Sequence, residues 1–184
     1  LGFAPKGFES FKVSMPIWIK DKLFQKYIIK KNLENFFSSK IKTSKILFTE
    51  HHVSHAASAF YPSTFKKSAI IVMDGVGEWA TTSIGIGENN KIRMLSEIHF
   101  PHSIGLLYSA FTFFLGFKVN SGEYKVMGLA PYGKPIYKEK ILKNLIKIFD
   151  DGSFQLNEKY FNYSTGFTMT NNNFSKLFQM NRRK

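Results

Sequence analysis

His51 and His55 stand four residues apart in the run His51-His52-Val53-Ser54-His55. On a helix that spacing stacks the two side chains on one face, one turn apart, so both imidazoles can converge on one ion. Imidazole nitrogen suits zinc, iron and related metals, whereas a site for magnesium alone uses oxygen ligands. The second position of the run is His rather than Glu, so the zinc-protease motif is absent and no general base is built into the run. Asp74 adds a carboxylate at the end of the apolar stretch 68–73, where α/β proteins commonly place ligand-binding groups. Alone, Asp74-Gly75 reads as a turn that closes a strand. Together with the two histidines, Asp74 becomes the third ligand of a shared metal. His52 points elsewhere on the helix and is a candidate supporting or substrate-facing group, while His99 and His102 are expected to be structural.

A second constellation is Asn120-Ser121-Gly122-Glu123-Tyr124-Lys125-Val126-Met127-Gly128. It puts small residues at a helix start, where unpaired backbone N–H groups attract anions. It lacks the Gly-Lys-Ser/Thr ending of a Walker loop. Glu123 could reach a ribose hydroxyl or a metal-bound water, and Lys125 could neutralise a phosphate; the alternative is a solvated helix cap. The chain has no cysteine, which excludes disulfides, thiolate ligands and a cysteine nucleophile and fits a cytosolic enzyme. Any metal is therefore held by nitrogen and oxygen.

These groups need elements to position them. Apolar residues at helical spacing over 17–37, with lysines between them, predict a basic amphipathic helix of the kind that covers a sheet face rather than one that lies on a membrane. A short strand is expected at 45–48, then a helix carrying residues 51–57 with Thr49 as N-cap. Strands follow at 68–73, 80–87 and 91–100, the last two joined across Glu88-Asn89-Asn90 as a hairpin. A helix over 103–115 ends at Gly116, and another over 123–130 is stopped by Pro131 and Gly133. Ile141, Leu145 and Ile148 suggest an amphipathic helix over 136–149, before the turn Asp150-Asp151-Gly152, a strand at 154–156 and a helix at 171–178. Mixed strands and helices with at least one antiparallel hairpin indicate an α/β architecture.

With 184 residues and 43% hydrophobic content, twenty Phe among them, the chain can bury one core and is not disordered. The longest apolar stretch, 104–117, is broken by Tyr108, Ser109 and Thr112 and is too short for a membrane span. The net charge of +13 invites a nucleic-acid partner. Its distribution argues against one. Residues 1–50 carry ten cations against four acids, and 134–184 the same, but the motif-rich stretch 51–133 carries six against five. The first residue is Leu, and the chain is taken as part of a longer protein.

Three ordered stretches resemble the carbamoyltransferases of the nodulation-factor and antibiotic-tailoring type. They are His51-His52-Val53-Ser54-His55-Ala56-Ala57-Ser58-Ala59-Phe60, Val72-Met73-Asp74-Gly75-Val76-Gly77-Glu78-Trp79, and Gly105-Leu106-Leu107-Tyr108 continuing to the run from Ser121 through Gly133. The likeness is strong over 45–135 and weaker in the flanks. It implies a partial actin-like, sugar-kinase-type (ribonuclease H-like) fold, related to the protein that transfers a threonylcarbamoyl group to tRNA. It implies a metal, often iron, with zinc or manganese as the other candidates, held by two histidines and aspartates. Here those positions are His51, His55 and Asp74, with a further aspartate expected beyond Lys184.

On this resemblance, residues 1–184 are a fragment of the N-terminal carbamoyl-transfer domain. The initial strands lie outside the chain, as does a C-terminal domain that makes carbamoyladenylate from carbamoyl phosphate and ATP, so the chain alone is expected to be inactive. The implied reaction transfers the carbamoyl group to a hydroxyl of a small molecule or sugar. Gly75, Gly77, Glu78, Ser121, Gly122, Glu123 and Lys125 are the residues expected to bind the adenylate, and His52 is the candidate base. A cytoplasmic setting without membrane or nucleic-acid partners is expected. The alternatives are a tRNA threonylcarbamoyl-transfer-like enzyme and a basic nucleic-acid-binding module, the latter separable by the salt dependence of its binding.

Overall fold

The computed structural model describes residues 3–184. The chain divides between Thr49 and Glu50 into two units. In the first, α1 (Phe8–Ile17) contains Pro16, and the chain continues directly into a π-helical turn, Trp18–Lys22. Proline removes a backbone donor, and such interruptions are where helices open or kink. Helix α2 (Gln25–Phe37) follows and ends at Ser38 in the left-handed region, φ 49°. The single helix expected over 17–37 is therefore two, and the first begins earlier. No residue of α2 is buried. Glu34 ties its end down by accepting Ile41 N–H at 2.9 Å. That bond, with Lys30 and Lys40 nearby, holds its carboxyl below the usual range against the opposing effect of desolvation. The strand expected at 45–48 is absent: Thr43–Lys45 is a 3-10 turn, and 46–50 run on without a ladder partner.

The second unit opens with α3 (His51–Phe60), whose N-cap is Glu50 rather than Thr49. Three strands follow as an antiparallel meander: β1 (Lys67–Gly77), β2 (Ala80–Glu88) and β3 (Lys91–His99), with β2 central. The β2–β3 turn places Asn89 at φ 55°, a conformation that Asn tolerates and hairpins demand. Ala56 and Phe60 of α3 pack on Ile70 and Val72 of β1, with Ile92 and Met94 of β3 alongside. This packing seats the histidine helix against the sheet.

Ser103 caps α4 (Ile104–Phe114) by accepting Leu106 N–H, and Gly116 follows the helix at φ 86°. Ala110 and Phe114 of α4 form a second core with Leu145, Ile146, Phe154, Leu156, Phe161, Phe174 and Phe178. Helix α5 (Glu123–Leu129) buries no residue, while around this core lie α6 (Lys138–Asn144), the paired strands β4 (Ile146–Ile148) and β5 (Phe154–Leu156), and α7 (Asn172–Phe178). The helix expected over 136–149 stops at Asn144, and Ile148 belongs to a strand. The fold is a mixture of helices and sheets, and strand pairing among the described residues is antiparallel throughout. No helix among them is long and apolar enough to cross a membrane.

Candidate metal centre

Helix α3 and strand β1 bring three donors together. His51 Nε2 lies 2.9 Å from His55 Nε2 and 3.1 Å from Asp74 Oδ2. One donor atom from each residue falls within 4.8 Å of the others. Two imidazole nitrogens bound to one ion at about 2.0–2.1 Å sit roughly 3 Å apart, so the spacing suits a shared metal. Asp74 Oδ1 is buried without a hydrogen-bond partner. A buried acceptor left unpaired costs about 1–3 kcal/mol, and a bound cation would relieve it. On both counts the residues fit a transition metal held by nitrogen and oxygen.

The local backbone explains why Asp74 arrives there. Pairing of β1 with β2 runs regularly to Met73↔Thr82, then slips to Gly77↔Ala80, so Asp74 lies in a bulge rather than at a strand end. Bulges re-aim side chains next to sites. At Gly77 an added Cβ would lie 2.5 Å from His51 Cδ2, 2.6 Å from His52 Cδ2 and 2.8 Å from Asp74 Oδ2. Glycine is thus what lets α3 approach the strand. At Gly105 an added Cβ would collide with the Asp74 carbonyl oxygen. The buried Ser103 hydroxyl is directed at Gly75 O (2.7 Å) and Asp74 O (3.1 Å). The N-terminus of α4 therefore clamps the bulge from the other side.

His52 departs from its expected role as base. Its ring is only 3% exposed, with Nδ1 2.5 Å from Ser83 Oγ and Nε2 3.3 Å from Asp74 Oδ2. Neither nitrogen is open to an incoming hydroxyl. Gly75 is partly buried beside Leu106, and Glu78 is exposed with φ 61°. His102 Nδ1 accepts Leu156 N–H, which is structural as expected, and His99 Nε2 lies 3.0 Å from Glu97 Oε2.

The loop before α5 is organised by its own acid. The Glu123 carboxylate accepts Asn120 N–H (3.0 Å), Gly122 N–H (3.2 Å) and the Ser109 hydroxyl (2.9 Å). Burial would raise this carboxyl, but the three hydrogen bonds outweigh it and hold the group below its usual range. Two of the N–H groups available to a phosphate are therefore occupied from within the loop, and Ser121 N–H turns back to Lys118 O. Lys125 Nζ sits 5.9 Å from the Tyr124 ring. Ser103 and Ser109 contact the Asp74 bulge and Glu123 respectively, so α4 is a shared support for both groups. Six residues at 1.5 Å each put those contacts about 9 Å apart along its axis. A cavity of about 480 Å³, lined by Phe113, Phe117, Phe167 and Arg182 among others, shares no residue with the histidine cluster.

Sequence reading missed Ser83, Ser103, Gly105 and the steric part of Gly77. The signal for Ser83 was present in Thr81-Thr82-Ser83, three polar residues at the start of a strand, all of which turn out to be buried.

The family model for the carbamoyltransferase N-terminus matches residues 1–184, the whole chain. The chain belongs to this family. An uncharacterized protein of Synechocystis sp., sll1178, is 56% identical over 184 residues, which is 100% of this chain and 30% of that protein. Nodulation protein NolNO of Sinorhizobium fredii is 34% identical over 131 residues, 71% of this chain and 19% of NolNO. The uncharacterized protein MJ1058 of Methanocaldococcus jannaschii is 36% identical over 122 residues, 58% of this chain and 19% of that protein. This member of the carbamoyltransferase N-terminus family thus spans 30% or less of the length of these relatives.

Proposed function

We propose that the chain carries the metal-holding part of an O-carbamoyltransferase with an actin-like transfer domain. The carbamoyl donor is carbamoyladenylate, formed from carbamoyl phosphate and ATP by a different part of the full-length protein. The acceptor is a hydroxyl of a small molecule or sugar. The observation that carries this reading is the convergence of His51, His55 and Asp74 beside the orphaned Asp74 Oδ1, in a chain of the carbamoyltransferase N-terminus family.

In the transfer, the acceptor oxygen forms a bond to the carbamoyl carbon, the bond from that carbon to the phosphate oxygen breaks, AMP leaves, and the hydroxyl proton passes to a base. His51, His55 and Asp74 hold the metal, which when bound supplies a Lewis acid for the charge that develops on the acyl phosphate. The bulge at residues 74–76, held by Ser103 and Gly105, fixes the carboxylate in place. Lys125, with the loop around Ser121 and Gly122, offers a cation for the adenylate phosphate, and Glu123 keeps that loop closed. Gly75, Gly77 and Glu78 lie next to Asp74 and form the adjoining wall. The base comes from elsewhere than His52, whose ring nitrogens face Ser83 and Asp74.

The test is to incubate the full-length product of the reading frame with carbamoyl phosphate, ATP and a panel of polyols and sugars. Carbamate ester and AMP, detected together by mass spectrometry and lost in Asp74→Ala, are the expected result. AMP-independent products, or full transfer by Asp74→Ala, overturn the reading.

A further inference from the structure

Ser83 is a fully buried hydroxyl on the central strand β2. Its register partners are Val72 on β1 and Glu97 on β3. Ser83 Oγ lies 2.5 Å from His52 Nδ1 and 3.5 Å from Glu97 Oε1. On the far side of the imidazole, Nε2 lies 3.3 Å from Asp74 Oδ2. The cluster therefore runs from Ser83 through His52 to a carboxylate that faces His51 and His55.

One proton decides how the cluster is wired, because the Ser83 hydroxyl can donate to Glu97 or to His52 but not fully to both. If it donates to Glu97, a neutral His52 must carry its hydrogen on Nδ1 to fill the short contact. Nε2 is then a bare acceptor facing a carboxylate oxygen, buried and unpaired, which carries the desolvation penalty in full. The gain would be one bond at 3.5 Å, beyond the good range. If Ser83 donates to Nδ1, the short contact is filled and the hydrogen on Nε2 is offered to Asp74 Oδ2. That contact is long and not well aligned, so Nε2 is without a formed hydrogen bond in this structure, but a donor facing a carboxylate is charge-assisted whereas an acceptor there is repelled.

We infer that Ser83 and His52 form a positioning pair. Ser83 fixes His52 in the tautomer with hydrogen on Nε2, and His52 in turn holds the Asp74 carboxylate toward His51 and His55. The effect on metal binding rests on the proposed function; the tautomer assignment does not. Groups that hydrogen-bond a metal's carboxylate ligand typically matter by about 10–100-fold in affinity.

The test uses the full-length protein, with Co(II) as the metal probe. Variants are Ser83→Ala, His52→Ala and His52→Gln, the last of which keeps an N–H at comparable reach. Long-range proton–nitrogen NMR on metal-free protein reads the His52 tautomer, absorbance titration reads Co(II) affinity and ligand field, and thermal melting checks the fold. Hydrogen on Nε2 in wild type, a mixed tautomer in Ser83→Ala, Co(II) affinity about 10–100-fold weaker in Ser83→Ala and His52→Ala, and His52→Gln nearer wild type support the inference. Hydrogen on Nδ1 in wild type overturns it, as does a Ser83→Ala protein that binds Co(II) with wild-type affinity and spectrum. If wild type binds no Co(II), the metal reading fails on its own account, and the tautomer measurement decides the pairing. If Ser83→Ala does not fold, equal losses in His52→Gln and His52→Ala overturn the positioning role.

Discussion

Gly77→Ala is the smallest change that should disturb the whole cluster. Carbon atoms in contact settle at about 3.5–4.0 Å, but the new methyl would stand 2.5 Å from His51 Cδ2 and 2.6 Å from His52 Cδ2, with Asp74 Oδ2 at 2.8 Å. The shortfall is about 1 Å on two ring atoms at once. Both rings sit on the first turn of α3, so neither moves without the helix, and His52 is buried against Ser83. Gly77 does not have a positive φ, so the cost is steric rather than conformational. Overpacking of this kind typically costs about 1–3 kcal/mol. Urea unfolding of Gly77→Ala should show a lower midpoint with little change in slope, and Co(II) affinity should fall with it. A variant with wild-type midpoint and wild-type Co(II) affinity would refute the close approach of α3 to β1.

Ser103→Ala removes an N-cap and the donor to two carbonyls of the Asp74 bulge, so it should cost more than the typical cap value of about 1 kcal/mol, read by chemical unfolding. Because the Glu123 carboxyl is held below its ordinary value of about 4.3, the folded state releases its proton more readily than the unfolded state. Its stabilising contribution is then fully present above about pH 5 and is lost as pH falls through the depressed folded value. Glu123→Gln should be less stable at neutral pH and flatten that acid limb, as measured by urea midpoints across pH. Lys125→Ala in the full-length protein should weaken binding of a nonhydrolysable carbamoyladenylate analogue while leaving the melting temperature in place, which calorimetry can check.

Local rules read well where local chemistry decides. The Asn89 turn and the Gly116 stop each follow from one residue's preference. They failed where pairing decides. Ile141, Leu145 and Ile148 keep helical spacing, yet Ile146–Ile148 leaves the helix because Phe154–Leu156 offers a ladder and buries Leu145 and Ile146 together. Residues 45–48 look like a strand but have no strand beside them. At the centre, the spacing of His51 and His55 was legible because it is a helical period, and the proximity of Asp74 was a guess that the bulge makes good. The supporting role open to His52 in the sequence gains its partner only through the fold, because Ser83 lies 31 residues away. Likewise, nothing in the loop's composition says that Glu123 folds back on its own N–H groups.

The central claim is that His51, His55 and Asp74 hold one transition metal. It is tested most directly by elemental analysis of the purified full-length protein beside His51→Ala and His55→Ala, each shown by melting to be folded. The account predicts near-stoichiometric transition metal in wild type and strong depletion in both variants. Folded variants that keep the wild-type metal content would contradict it.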